Sequence, residues 1–324
     1  MTTKYWDGST DGDLNTAANW TPSGVPEAAD DLVFDGRTTQ SVDASITTFN
    51  NIDLGSVTVE SGYTGDIGAV DGPMEFLCSA GLVYLAGSGT YYLQCDAGAD
   101  VDGAILQTII NGGTVYLSSQ ANDETNAAVW TEVQVLAGVV YLQGDSEKSD
   151  HGGDSGIALT TLRVTPINTC TVRIGDKCVN FKGTDTPMTV QMSGGVLNCS
   201  SALGDVLSLG GVLNYGSATI DMATTDDDIT ILRLCGGTFN WVPQASTGAA
   251  LSASPTIGTL YVVTGTFNAT DTKDTATTAP TITLAWQYGG TVDLQNIFAN
   301  FIVTTYHVEG GNLHYSPGQV LALS

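Results

Sequence analysis

Gly112-Gly113-Thr114-Val115-Tyr116-Leu117 is one of nine related segments in this 324-residue chain. The others begin at Ala80, Ala137, Gly194, Gly210, Gly236, Thr264, Gly289 and Gly310. Each joins a small turn to a short strand of β-branched, aromatic or aliphatic residues. A unit repeated in this way is the mark of a solenoid, in which each repeat buries its apolar face against its neighbours. The marker glycines fall at 81, 113, 138, 195, 211, 237, 265, 290 and 311. Successive gaps are 32, 25, 57, 16, 26, 28, 25 and 21 residues. The longest gap fits two coils, the second running through Thr161-Leu162-Arg163-Val164 and Thr171-Val172-Arg173-Ile174. Coils of about 20–30 residues fit a parallel β-helix. With rungs ~4.8 Å apart, about ten of them would make a rod near 50 Å long.

The expectation is therefore an all-β chain: a right-handed parallel β-helix over 41–324 behind an N-terminal capping segment over 1–40. Strands at regular spacing also fit a pair of β-sandwich domains with a jelly-roll element. The irregular gaps predict polar loop inserts near 118–131, 143–157, 243–256 and 269–280. Composition agrees with many turns and few helices. Glycine numbers 39, and most of the 34 acidic residues are Asp, whose short carboxylate bonds nearby backbone NH groups.

Only nine basic residues oppose those acids, so the formal charge is −25. That balance disfavours nucleic acid and anionic membrane as partners, since both are polyanions. No run approaches the ~20 apolar residues of a membrane span, and the start Met1-Thr2-Thr3-Lys4 has no signal-peptide core. The expected site of synthesis is the cytoplasm. The six cysteines, at 78, 95, 170, 178, 199 and 235, form no CxxC pair and read as reduced core thiols.

The opening segment has its own skeleton: Tyr5-Trp6-Asp7-Gly8, Ala17-Ala18-Asn19-Trp20, Gly24-Val25-Pro26 and Asp30-Asp31-Leu32-Val33-Phe34. Two tryptophans and a proline turn suit the covering of a solenoid's first rung. This opening, with Leu54-Gly55-Ser56-Val57-Thr58-Val59 and Gly62-Tyr63-Thr64-Gly65-Asp66-Ile67-Gly68 after it, resembles that of bacterial and tailed-phage β-helix proteins. The likeness covers about the first 70 residues by motif and the remainder by repeat style. Autotransporter adhesins of this style carry a signal peptide and a C-terminal membrane barrel, which tilts the likeness toward the phage group. It implies a non-enzymatic virion protein, assembled in the host cytoplasm and attached outside the capsid as a decoration or cement protein, or serving as a short fibre. Implied partners are the major capsid protein or another virion protein, and further copies of the chain, with a trimer expected. A carbohydrate-binding or carbohydrate-cleaving receptor-recognition protein is the alternative, with surface glycans as ligands; a bacterial surface adhesin is a third.

No residue set reads as a catalytic centre, and no cofactor is implied. Gly153-Asp154-Ser155-Gly156 has the look of a serine-protease nucleophile loop. The only earlier imidazole is His151 in the same insert, so the required base is missing. Asp7, Ser9, Asp11 and Gly12 imitate part of a calcium loop, but Ala18 stands where a bidentate Glu would close it. Asp226-Asp227-Asp228 could hold a hard cation but reads first as an acidic turn. Lys148, Arg163, Arg173, Lys177 and Lys182 concentrate five of the nine basic residues. They are the candidate docking patch for an acidic partner, against the alternative of local pairing with neighbouring acids. Tyr84, Tyr116, Tyr141, Tyr215 and Trp241 occupy equivalent places in the repeat. Facing out they would make a sugar-binding strip; facing in, which is favoured, they would be core stacks.

Overall fold

The computed structural model describes residues 1–43, 52–69, 72–95, 103–119, 128–142, 158–174, 188–199, 203–215, 229–241, 256–270, 280–296, 302–315 and 320–323. Almost all of it is strand, stacked in parallel coils as a β-solenoid. The chain forms two compact units. One holds residues 1–162, 167–171 and 177–185; the other holds 163–166, 172–176 and 186–324.

The first unit begins with β1 (Thr3–Trp6), a single 3-10 turn at Ala17–Asn19, β2 (Trp20–Thr21) and β3 (Asp31–Phe34). Then come β4 (Ser56–Val59), β5 (Met74–Phe76), β6 (Cys78–Leu85), β7 (Thr90–Cys95), β8 (Gly103–Ser119) and β9 (Ala128–Leu142). Strands β1, β3, β4, β6, β8 and β9 form one parallel ladder in that order. A second ladder runs from β5 through β7 to the far halves of β8 and β9. Period-two alternation aims one side of each strand inward. Leu32, Val57, Val83, Thr108 and Val133 thus share an inward column, as do Phe34, Val59, Leu85, Ile110 and Val135.

The opening segment is both rung and cover. β1 and β3 belong to the ladder, while β2 pairs antiparallel with β1 through Tyr5–Thr21 and Trp6–Trp20. Trp6 and Trp20 are fully buried, 5.2 Å apart and edge to face, and both rings contact Phe34. Their indole NH groups are satisfied by the carbonyls of Gln40 and Leu14. The first ladder's column starting at Leu32 ends on Lys4, only 7% exposed, whose ammonium donates to the carbonyls of Pro22 and Ser23. The cap therefore closes an apolar column with a charged head and solvates that head with backbone.

Strands β10 (Ala158–Val164) and β11 (Cys170–Ile174) supply the coil expected inside the longest gap. In the second unit follow β12 (Met188–Cys199), β13 (Leu203–Tyr215), β14 (Ile229–Leu234), β15 (Thr238–Trp241), β16 (Thr256–Val262) and β17 (Thr266–Thr270). β18 (Thr281–Gln287), β19 (Thr291–Asn296), β20 (Ile302–Val308), β21 (Asn312–Tyr315) and β22 (Val320–Leu323) complete it. One arm of each coil builds the ladder β12–β13–β14–β16–β18–β20–β22, and the other builds β12–β13–β15–β17–β19–β21. The core again runs in columns, such as Leu197, Leu213, Phe239, Phe267, Val292 and Leu313.

Between the two arms the chain turns a corner on a glycine in the left-handed region, for example Gly265 at φ +88°. That region is open to glycine and strained for residues with a Cβ. The corner is also crowded. The Gly237 carbonyl accepts a hydrogen bond from Thr266 N at 2.9 Å, and a Cβ on Gly265 would stand 2.6 Å from that same oxygen.

One marker is corrected. Gly81 lies inside β6 without a positive φ, pressed against the Gly55 carbonyl; the corner of its coil is Gly87-Ser88-Gly89. The spacing of 32 residues is thus an artefact of matching a strand to a turn. Of the predicted inserts, 120–127, 143–157, 243–255 and 271–279 lie outside the described residues. The flanking residues 118–119, 128–131, 256, 269 and 270 belong to strands.

Candidate functional surfaces

The tyrosine column divides. Tyr116 pairs with Tyr92 and Tyr141 across adjacent rungs, and all three point outward and are half-buried. Their rings stack at 4.5 Å with interplanar angles of 9° and 6°. Tyr84 sits elsewhere, in register with Thr58 and Ile109 on the other arm, and its hydroxyl accepts from Asn111 Nδ2 at 3.1 Å. Tyr215 and Trp241 are in register with each other and face inward, fully buried. The expected inward orientation therefore holds for Tyr215 and Trp241 and fails for Tyr84, Tyr116 and Tyr141. The physical reason is a one-residue offset. In Gly-Gly-Thr-Val-Tyr-Leu the tyrosine directly follows the first inward residue, Val115, whereas in Gly-Gly-Val-Leu-Asn-Tyr it stands two residues after the inward Leu213, and a shift of one residue flips the face.

The place equivalent to Tyr116 is taken in the second unit by asparagine. Asn198, Asn214, Asn240 and Asn268 stand on successive rungs. The side-chain Nδ2 groups of Asn214, Asn240 and Asn268 donate to the Oδ1 of the asparagine one rung before, at 2.8, 2.8 and 2.9 Å. Asp293 follows on the next rung, and His314 after it stands 4.0 Å from the Asp293 carboxylate. This ladder was open to view as Val-Leu-Asn and Thr-Phe-Asn in the repeat. On the other arm an outward row of Arg233, Tyr261, Trp286 and His307 runs in register, with His307 stacked on Trp286 at 3.9 Å.

Of the proposed docking patch, Arg163 and Arg173 are described, and Lys148, Lys177 and Lys182 lie outside the described residues. Arg163 is half-buried and donates to Gln191 Oε1 at 2.9 Å, while Arg173 is exposed. Arg233, outside the patch, forms an ion pair with Asp205 at 3.4 Å. Exposed pairs of this kind contribute at most ~1 kcal/mol.

The partial calcium loop is occupied by its own backbone. Asp7 accepts from Ser9 N and Thr21 Oγ1, and Asp11 accepts from Asp13 N and from Asn19 Nδ2 at 2.6 Å. Asn19, fully buried, takes the Thr10 and Asp11 NH groups on its side-chain Oδ1. Burial works to raise the Asp7 carboxyl, but the bonds from Ser9 and Thr21 outweigh it and hold it below 3.8. The Asn19 amide likewise holds Asp11 low. These are turn-locking carboxylates. Among the described residues no group of three or more His, Cys, Asp or Glu side chains is placed to hold a metal ion. The His151–Gly156 loop and Asp226–Asp228 lie outside the described residues.

Cys78, Cys95, Cys170 and Cys199 are buried, and Cys235 is half-buried. Cys178 lies outside the described residues. Among the described residues no helix is long and apolar enough to cross a membrane. No protein family, curated protein or solved structure matches the chain.

Proposed function

We propose that this chain is a non-enzymatic structural protein of a tailed-phage virion, attached to the outside of the capsid as a decoration or cement protein. The observation that carries the reading is how the outward side chains are used. On the described arms they pair with their own counterparts one rung away, asparagine amide to asparagine amide and tyrosine ring to tyrosine ring. Such columns stiffen a scaffold. The likeness of residues 5–34 and 54–68 to phage β-helix proteins supplies the setting. Attachment would engage the exposed Arg173 and its basic neighbours in the sequence against an acidic patch of the shell, with rim charges setting orientation and encounter rate.

The test uses capsids of the encoding phage assembled without this gene product. Purified chain should co-sediment with them to a fixed stoichiometry and add density outside the shell. Protein that stays in the supernatant at every ratio overturns the attachment. Polysaccharide turnover abolished by one carboxylate substitution overturns the non-enzymatic reading.

The outward rings of Tyr92, Tyr116 and Tyr141 favour the second reading, recognition of a surface glycan. Sugar binding needs a free ring face, however, and both faces of Tyr116 are covered by its neighbours. Retention of the chain on immobilised host glycans, lost in Tyr92→Ala or Tyr141→Ala, would decide for this alternative.

A further inference from the structure

In the second unit the residues just before four successive corners form an uncharged row, which ends at the exposed Glu309 on the next rung. Backbone bonds from Cys235 N to Ser208 O, Val263 N to Leu234 O and Tyr288 N to Val262 O set Leu209, Cys235, Val263 and Tyr288 on successive rungs. Leu209 is 57% exposed, Val263 42% and Tyr288 44%, with Cys235 half-buried. The next position on the same rungs holds Gly210, Gly236, Thr264 and Gly289. A bulky apolar ridge thus runs beside a shallow furrow. The ridge is stiff at its upper end, where the Tyr288 ring lies parallel to Trp286 and Trp286 is in turn stacked by His307.

These eight positions contain no charged residue, in a chain with 34 acidic and only nine basic ones. Two such chains repel each other wherever carboxylates face carboxylates. A neutral apolar strip is where they can meet. A basic partner would be drawn to the acidic surface, and an acidic one would gain nothing from this strip. A second copy brings the matching shape.

We propose that this ridge and furrow are a self-association surface, on which a second copy of the chain lies alongside in parallel about a rotation axis running along the ladder. Rotation about such an axis keeps every rung at its own height and exchanges left for right. Each ridge side chain then meets the furrow of the same rung on the neighbouring copy. An axis across the ladder would reverse the rung order and set ridge on ridge. The contact is the same patch on both copies, as a two-fold axis requires.

The experiment is sedimentation equilibrium on the full chain over a wide dilution series, at low and raised salt. The expected result is a mass that is a multiple of 33.5 kDa, tighter at raised salt because screening weakens the repulsion between acidic copies while the neutral contact is untouched. Val263→Asp with Tyr288→Asp should return the mass to that of a single chain, with an unchanged circular dichroism spectrum. Should that pair disturb the fold, Val263→Ser with Tyr288→Ser weakens association in the same direction. Leu106→Asp, at an exposed apolar residue of the first unit, should leave the mass as it was. A single-chain mass throughout, or an oligomer that survives the folded double variant, overturns the proposal. An oligomer that forms while the chain ignores capsids would sink only the virion reading.

Discussion

Asparagine is depleted in strands, yet four occupy one outward column, and the hydrogen-bond arithmetic explains why. An amide both donates and accepts, so a column of identical amides satisfies itself rung by rung. Asn240 is the informative member, since it donates to Asn214 and accepts from Asn268. Asn240→Ala breaks both bonds and leaves a half-buried donor and acceptor. Urea denaturation should show a loss of about 1–3 kcal/mol. Asn240→Asp keeps an acceptor for Asn268 and regains a donor for Asn214 only when protonated, so it should restore part of that loss at neutral pH and more of it at acid pH. A second residue points the other way. Thr108 stands in a column with Val83 and Val133, fully buried, and among the described residues its hydroxyl has no hydrogen-bond partner. Thr108→Val keeps the shape and removes an unsatisfied group. It should raise stability by about 1 kcal/mol; an unchanged or lower unfolding midpoint would show that the hydroxyl is satisfied in solution.

At the scale of the element, the corner decides which residues are possible. Gly265 carries two separate constraints, a φ of +88° and a neighbouring carbonyl 2.6 Å from any added Cβ. Left-handed backbone alone costs alanine roughly 1–2 kcal/mol, and here the rung below cannot yield without breaking its own hydrogen bond. Gly265→Ala should therefore lose about 2–4 kcal/mol. Thr264→Ala, beside it but exposed, should change little beyond its hydroxyl bond to Cys235 O. Equal losses in the two variants would show that the corner is not the constraint. These glycines made the solenoid legible, because a doubly constrained corner leaves its mark on coil after coil, though not on the β10–β11 turn, which runs through residues 165–169 without a glycine. What the glycines could not convey was face. Tyr215 and Tyr141 follow similar Gly-containing turns, but one is core and the other surface, because Tyr215 stands four residues after its corner glycine and Tyr141 three after its own, and one residue reverses the face. Gly81 misled for a related reason: it is required by the Gly55 carbonyl that lies against it, and close approach selects glycine as firmly as a turn does. The exposed ridge from Leu209 to Tyr288 left no repeat signal at all, since leucine, cysteine, valine and tyrosine share only their place before the corner.

For the whole molecule, the stacked core fixes how the protein responds to pH. Inward columns bury groups that ionise only in alkali. Burial pushes the Cys78 thiol up from 9.0 to about 11, and the Tyr91 phenol up from 10.0 to about 12. Tyr63 and Tyr306 are raised further by the same cause. All four are neutral in the folded state at pH values where the unfolded chain has begun to lose those protons. A group whose pKa is raised on folding contributes stability that is complete below its unfolded value and is lost as pH rises through its folded value. The acidic turns act oppositely: Asp7 and Asp11, held low by Ser9, Thr21 and Asn19, give up their contribution only as pH falls below 3.8. A plateau should therefore extend through neutrality, followed by a fall in the urea midpoint that starts near 9.0 and steepens above 10.0. Cys78→Ala should delay the first part of that fall, at the expense of a small cavity. Tyr91→Phe should flatten the later part while giving up the bond that its hydroxyl accepts from Gly89 N. A midpoint that stays level to pH 12 in the parent chain would mean that these side chains reach water in the folded state, and would refute the closed core from which the coils are built.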